Sequence, residues 1–408
     1  MRMERVNQIL QHTLYQSCRR QIDEKEKDRI FCGHDMGHLL DVARLAWIFN
    51  LEANQEISKE RIYAAALLHD IGRHIQYENG TPHQIAGLPI AEIAKDPYLT
   101  GTKIFYEKFP YDLKEENYGN IYVYNDDFLY PARKMLNHLG GDMVEYTEVM
   151  KRQQDGGHSV NYIANSNTFT LADVFSYNEK HNGDNGEENL DGNNWNYSTN
   201  YGVEGATRRQ FVKKIREKQM RNAMAMLCLA RGIPLIWSGD EIGNSQNGNN
   251  NAYCQDNRIG WVNWKNEGRY EEYTEFVREL LQFRKEHPIL FSEKPFQMSD
   301  YKRTGYPDLS YHSSEAWISD VKGNARAVGM MYSESYAGEE DAEETFLYIG
   351  YNFYMGLQVF ALPKLPKGKH WYQIMDTSQT CPFFEEPRLL KNNSYEAFGQ
   401  TISILVGR

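Results

Sequence analysis

The stretch from Ser159 to Tyr177, SVNYIANSNTFTLADVFSY, constrains this chain most, because a short apolar strand there runs through polar residues straight into a helix start. Val160, Tyr162 and Ile163 are strand formers, Asn165 to Asn167 make a polar strand end, and Thr170 can cap a helix carrying Leu171, Val174 and Phe175. Where parallel strands and helices alternate around a barrel, the groups that do chemistry stand at the C-terminal ends of the strands. Asn165 to Asn167 occupy such a position.

The chain has 408 residues, enough for two or three domains and a large core. Its net charge of -11 argues against nucleic acid or an anionic membrane as a partner. No apolar run approaches the length of a membrane span, and the N-terminus, MRMERVNQIL, lacks a signal-type core. Cys18, Cys32, Cys228, Cys254 and Cys381 are scattered and form no CxxC pair, so neither a disulfide framework nor a thiolate zinc site is indicated, and a cytoplasmic home follows. The 28 tyrosines serve packing first, and offer sugar-stacking surfaces besides.

Residues 1–94 read as all-α. Val6, Ile9, Leu10 and Leu14, then Leu39, Val42, Leu45, Ala46 and Phe49, recur at helical spacing, and Ser58 is a natural N-cap for a helix over Arg61 to Asp70. This part holds His34, His38, the adjacent His69 and Asp70, His74 and His83. A His-Asp pair closing an Ala/Leu-rich helix needs a partner for its charge, and a divalent metal is an effective one. The segments GHDMGHLLDVAR and ALLHDIGR, in this order, resemble the HD superfamily of metal-dependent phosphohydrolases. The resemblance implies that His38, His69 and Asp70 ligate a divalent metal (Mn, Mg, Fe or Zn), which would lower the pKa of bound water for attack on a phosphoester substrate. His34 and His83 are lesser candidates for an enlarged site. The family closes its site with an Asp from a later helix, and the resemblance ends near Ala94, before that helix. Asp173 imitates the closing step but is better explained by its own surroundings.

Residues 95–290 resemble a different family. The opening stretch follows the strand-seven pattern of the α-amylase superfamily (glycoside hydrolase family 13), in its isoamylase and glycogen-debranching branch, S-[IV]-N-[FY]-[IV]-x-x-H-D-G-F-T-L-x-D-L-V-S-Y-N. The family's His-Asp pair falls on Ser166 and Asn167. The lost Asp is the carboxylate that stabilises an oxocarbenium-like transition state, and Asn167 keeps its shape without its charge. Upstream, Lys103 to Tyr106 match the strand that delivers the general acid, which falls on Glu107; Lys108 and Phe109 replace the usual Pro-Trp. NIYVYNDDFLYPARKML resembles the family's W-N-D-x-F-R-D-x-V-R-x-F in Asn125, Asp126 and Phe128, with Asp126 and Asp127 equally readable as a capped, solvated turn. The Asn/Gly-rich segment 176–205 is a long loop, and the resemblance puts Tyr177, His181, Asn182, Asp191 and Trp195 near a glucan cleft. A helix is expected over 208–231, with Phe211, Ile215, Met224 and Leu227 on its apolar face and Gly232 ending it. IPLIWSGDEIG then reads as a buried strand, strand eight of the family, followed by NGNNNAYCQD, whose Asn250 and Tyr253 are candidate substrate contacts while most neighbours brace the loop. A last helix is expected over 270–287.

Residues 291–408 carry short apolar runs parted by Gly, Pro and charged turns, as in an antiparallel β-sandwich. The expected fold class is therefore multidomain, with an all-α HD-like N-terminal part, a partial (β/α)8 barrel of strands five to eight, and a C-terminal antiparallel β-sandwich. Strands one to four, with the nucleophile Asp, have no counterpart. A retaining glycosidase needs two carboxylates roughly 5 Å apart, and Glu107 is alone. Cover for half a barrel would come from the helical part or from a homo-oligomer. Three functions remain open: a debranching-type glycoside hydrolase, incomplete or inactive and needing no cofactor; an HD-type metal phosphohydrolase; and a non-catalytic protein that binds α-glucan or maltooligosaccharide.

Overall fold

Asp35 and Ser58 set two of the N-terminal helices by capping. The computed structural model describes residues 3–27, 33–79, 102–107, 120–152, 158–292, 294–319, 321–337 and 345–408, and divides into two compact units, Met1–Tyr124 with Gln154–Ser159 and Asn125–Gln153 with Val160–Arg408. The first unit begins with α1 (Glu4–Gln11), α2 (Thr13–Lys25), α3 (Met36–Glu52), α4 (Lys59–Leu68) and α5 (Arg73–Asn79). The single amphipathic run expected from residue 6 breaks at His12, whose extended backbone separates α1 from α2. The Asp35 side chain accepts from the His38 amide and that of Ser58 from the Arg61 amide, each satisfying an orphan N–H at a helix start. Val6, Tyr15, Cys18, Leu39, Leu67 and Ile71 form this unit's core. The face expected to be buried on α3 is only partly so: Leu39 and Ala43 are enclosed, whereas Leu45 and Phe49 are 55% and 63% exposed.

The same unit carries β1 (Ile104–Tyr106) and β2 (Ile121–Tyr124), which pair in parallel with Ile104 opposite Ile121. The second unit supplies α6 (Asp126–Asn137), α7 (Met143–Lys151), the end of β3 (His158–Tyr162), α8 (Leu171–Val174), α9 (Gln210–Leu229), β4 (Ile233–Leu235) and α10 (Glu271–Glu286). β3 and β4 pair in parallel, Val160 opposite Ile233. Each of these parallel pairs is of the kind expected for a partial barrel. β4 is shorter and less buried than IPLIWSGDEIG suggests: it ends at Leu235, its three residues are half-buried, and a 3-10 turn takes over at Asp240. Phe211, expected on the inner face of α9, is 76% exposed, while Met224 and Leu227 are buried. At the end of α9, the Arg284 guanidinium donates to the Cys228 and Ala230 carbonyls at 2.6 and 2.7 Å and also to Gly232, capping carbonyls the helix leaves open.

Residues beyond α10 form β5 (Leu309–His312), β6 (Ala327–Ser333), β7 (Phe346–Asn352), β8 (Gln358–Ala361), β9 (Trp371–Asp376), β10 (Phe383–Leu389), β11 (Ser394–Ala397) and β12 (Thr401–Gly407). One antiparallel sheet runs in the order β10-β9-β12-β7-β6-β5, and β11 pairs with β8 in a second, giving the sandwich. The period of two divides β7 between two cores. Phe346 and Tyr348 pack with Phe360, Trp371 and Tyr395, while Leu347, Ile349 and Tyr351 join the core shared with α6, α9 and α10. Buried polar ties reinforce that second contact: Asn222 of α9 donates to the Gln400 carbonyl at 2.9 Å and accepts from Thr377 Oγ1 at 2.5 Å.

Candidate functional site

In the first unit, α3 begins with His38 in its first turn, with His34 just before the cap, and α4 runs out into His69 and Asp70. Three imidazole nitrogens converge on one carboxylate oxygen. From Asp70 Oδ2, Nε2 of His69 lies at 2.8 Å, that of His38 at 3.6 Å and that of His34 at 3.9 Å. Ligand atoms of His34, His38 and Asp70 all lie within 4.8 Å of one another. On the far side, Arg73 Nε donates to Asp70 Oδ1 at 3.1 Å. His34 is held from behind, with Nδ1 2.6 Å from Glu26 Oε1.

Electrostatics follow from this crowding. Burial would raise the Asp70 carboxyl, but the His69 hydrogen bond and the charges of His69, Arg73 and His34 hold it well below the usual range. Burial pulls His69 down, yet its bond to Asp70, that carboxylate's charge and the Ala66 carbonyl outweigh burial and raise it. His69 has an oxygen acceptor at each ring nitrogen, Ala66 O at 2.7 Å and Asp70 Oδ2 at 2.8 Å, so without a metal its second proton is what satisfies both. Burial lowers His34 despite the Glu26 hydrogen bond. Imidazole and carboxylate donors at these spacings suit a divalent cation, and His34, named above as a lesser candidate, sits within the cluster. His83, and the boundary drawn at residue 94, lie outside the described residues.

In the second unit, the strand end after β3 is built as a turn: Asn167 N donates to Asn165 Oδ1 and Asn165 N to Thr168 Oγ1, both at 3.0 Å. Ser166 and Asn167 are exposed at its tip. Thr170 caps α8 by accepting from the Asp173 amide at 3.3 Å. Asp173 is buried and receives Ser245 Oγ at 2.5 Å and the Gln246 and Gly248 amides at 2.8 and 3.2 Å, which ties α8 to the loop after β4. Burial raises its carboxyl to about 6 in spite of those bonds. Asp240 accepts from the Leu171 amide at 2.8 Å, and burial pushes it up to about 8. Beneath the turn, the buried Arg133 guanidinium spans the Ile163 and Asn196 carbonyls at 2.9 and 2.8 Å. None of Arg133, Ser245 or Glu204 stands out in the sequence, because each acts on backbone or side chains far along the chain.

The candidate glucan contacts separate into two groups. Asn182 and Asn250 are fully enclosed: Asn182 Nδ2 donates to Asn250 Oδ1 at 2.9 Å, and the Asn250 amide returns to Asn182 Oδ1 at 3.0 Å. Around them Asn185, Asn249, Asn251 and Asp191 interlink the loops 176–205 and 245–256. Tyr177 packs edge-on against His181, ring centroids 5.1 Å apart, and its ring fills the space a Cβ on Gly248 would need, 2.6 Å away. His181 Nε2 lies 3.1 Å from Glu204 Oε1 in the open, and Tyr253 donates to Glu187 at 2.5 Å, also at the surface. Two clefts of this unit are lined by some of these residues. One of about 670 Å³ has the exposed Trp195 with Tyr130, Asp126, Asp127 and Arg152 on its walls. The other, of about 840 Å³, is bordered by Tyr177, Arg216, Arg258 and Trp261. Asp126 accepts a hydrogen bond from Tyr162, and Asp127 pairs with Arg152 at 2.8 Å. Glu107 follows β1 in the first unit and is exposed.

Known proteins resemble both parts. Residues 36–121 match the HD domain family. Isoamylase 1, chloroplastic, of Arabidopsis thaliana is 32% identical over 318 residues, 74% of this chain and 38% of that protein. A glycogen debranching enzyme of Erwinia tasmaniensis is 36% identical over 235 residues, 54% of this chain and 35% of the relative. The chain thus spans well under half the length of either. A pullulanase type I from Bacillus subtilis complexed with maltose superposes with a TM-score of 0.54 over 86% of this chain and 47% of its own, at 16% identity, a likeness of fold. Among the described residues no helix is long and apolar enough to cross a membrane. This chain is thus similar to HD domains over residues 36–121, with a cluster of His34, His38 and Asp70 that could hold a metal, and to debranching-type proteins in sequence and fold over much of the remainder.

Proposed function

We propose that the C-terminal part recognises α-glucan or maltooligosaccharide in α-glucan metabolism without turning it over. Asn167 carries this reading: at the position where the debranching pattern has its Asp, a neutral amide cannot offset the charge that develops in an oxocarbenium-like transition state. Glu107 would be the general acid of the ancestral chemistry. Tyr177, His181 and Tyr253 are the contacts for sugar, and Asn182 and Asn250 hold the loops that present them. The likeness to isoamylase and to a maltose-bound pullulanase supports the ligand class. Free cysteines at Cys18, Cys228 and Cys381 support a cytoplasmic setting. Affinity electrophoresis in glycogen, with reducing-sugar release measured in parallel, tests this reading. Retardation without release is expected, and release would overturn it.

The convergence of His34, His38, His69 and Asp70 favours a second activity at the other site. His34, His38 and Asp70 hold the metal, with His69 beside them. A metal there supplies an acidified water for phosphoester hydrolysis. Asp70 brings the negative charge, Arg73 fixes its second oxygen, and the half-exposed His38 and His69 leave the site open on one side. Hydrolysis of p-nitrophenyl phosphate by the full chain with Mn²⁺, lost in Asp70→Ala, is the expected result. Turnover that survives the substitution would sink it.

A further inference from the structure

Glu26 ends α2 in a run of charges, EKEKDR, that reads as a solvated stretch, yet its side chain is only 6% exposed. Three donors converge on its carboxylate. The His34 backbone amide reaches Oε2 at 2.6 Å, while His34 Nδ1 and the Tyr77 hydroxyl each lie 2.6 Å from Oε1. His34 is fixed from its other side as well, since its carbonyl accepts from Arg19 Nη1 at 2.5 Å. Neither the metal motif nor the debranching resemblance accounts for this clamp.

A carboxylate on Nδ1 obliges that nitrogen to carry the ring proton, leaving the Nε2 lone pair free to ligate. Nε2 of His34 points into the cluster, 3.9 Å from Asp70 Oδ2, too far for a hydrogen bond and suited to two ligands flanking one ion. The His38 ring stands edge-on to it, centroids 5.2 Å apart. Resting on the metal-site reading above, we propose that Glu26, braced by Tyr77, is a positioning residue that commits His34 Nε2 to the metal held by His38 and Asp70. His34 then adds a nitrogen ligand beside those of His38 and Asp70. The resulting nitrogen-rich donor set favours Zn²⁺, Fe²⁺ or Co²⁺ over Mg²⁺.

The test uses the full chain, stripped by chelator and titrated with Zn²⁺ against a chromophoric competitor and with Co²⁺ by its visible absorption. Glu26→Gln should weaken Zn²⁺ binding by roughly 10- to 100-fold, as removal of a carboxylate behind a ligating histidine does. Its Co²⁺ bands should shift, and Tyr77→Phe should give a smaller loss in the same direction. Tyr77 is at the surface, so that variant decides the matter if Glu26→Gln fails to fold. Wild-type binding that both substitutions leave unchanged overturns the positioning role alone. A wild-type chain that binds neither metal overturns it together with the metal site, as does Mg²⁺ binding more tightly than Zn²⁺.

Discussion

Asn182 and Asn250, 68 residues apart in sequence, hold each other through reciprocal amide hydrogen bonds of 2.9 and 3.0 Å with no exposure to solvent. Asn250 also donates to Asn193 O at 2.7 Å and Asn196 Oδ1 at 2.8 Å, so one side chain of the loop 245–256 ties down three residues of the loop 176–205. Removing it strands buried donors and acceptors, and each costs about 1–3 kcal/mol. Asn250→Ala is therefore expected to lower stability by at least that amount in a urea melt followed by tryptophan fluorescence, Trp195 and Trp261 lying in this unit. A midpoint equal to wild type would show that the loops do not depend on this pair.

Restoring the charge at residue 167 tests the reading of the strand end. Asn167→Asp puts a carboxylate on the exposed tip of the turn after β3, a change expected to leave the melting temperature nearly unaltered. Glucan hydrolysis should stay undetectable, because one further carboxylate does not supply both an acid and a nucleophile roughly 5 Å apart. Reducing-sugar release from glycogen by this variant would contradict the assignment.

Asp240 gives a pH dependence with a defined sign. Its folded-state carboxyl is pushed by burial to about 8, above the unfolded value near 3.9, so the folded chain holds a proton that the unfolded chain releases. The stabilising contribution is complete below the unfolded value and is lost as pH rises to about 8, at up to about 1.4 kcal/mol per pH unit. Asp240→Asn keeps an acceptor for the Leu171 amide and cannot ionise. Thermal melts at pH 5 and pH 8 should show wild type falling further than the variant, and parallel falls would refute the assignment.

Metal binding should stabilise the first unit by mass action. Free Zn²⁺ at 100 times its dissociation constant adds about 2.7 kcal/mol to a unit that binds it only when folded. In differential scanning calorimetry Zn²⁺ should raise the wild-type transition, EDTA should reverse the rise, and His38→Ala should abolish it. An equal rise in His38→Ala would place the ion elsewhere.

Much of the local structure was legible from neighbouring residues. Ser58 and Thr170 are the caps expected of them, because an N-cap bonds an amide only three positions on. The short apolar runs parted by Gly, Pro and charged turns after residue 291 likewise depend on near neighbours, and β6, β7 and β12 form there. His69 beside Asp70 announced a charged cluster, and Asn167 announced a missing charge, since both are matters of residue identity. Tertiary structure alone decided that Leu45, Phe49 and Phe211 face outward, for periodicity fixes a helix's apolar stripe but not which of its residues a neighbour covers. It also made Asn182 and Asn250 partners of each other and turned Glu26 from an apparent surface charge into the support of His34. Those hydrogen bonds join residues whose spacing along the chain carries no period, so only the folded chain brings their donors and acceptors within 3 Å.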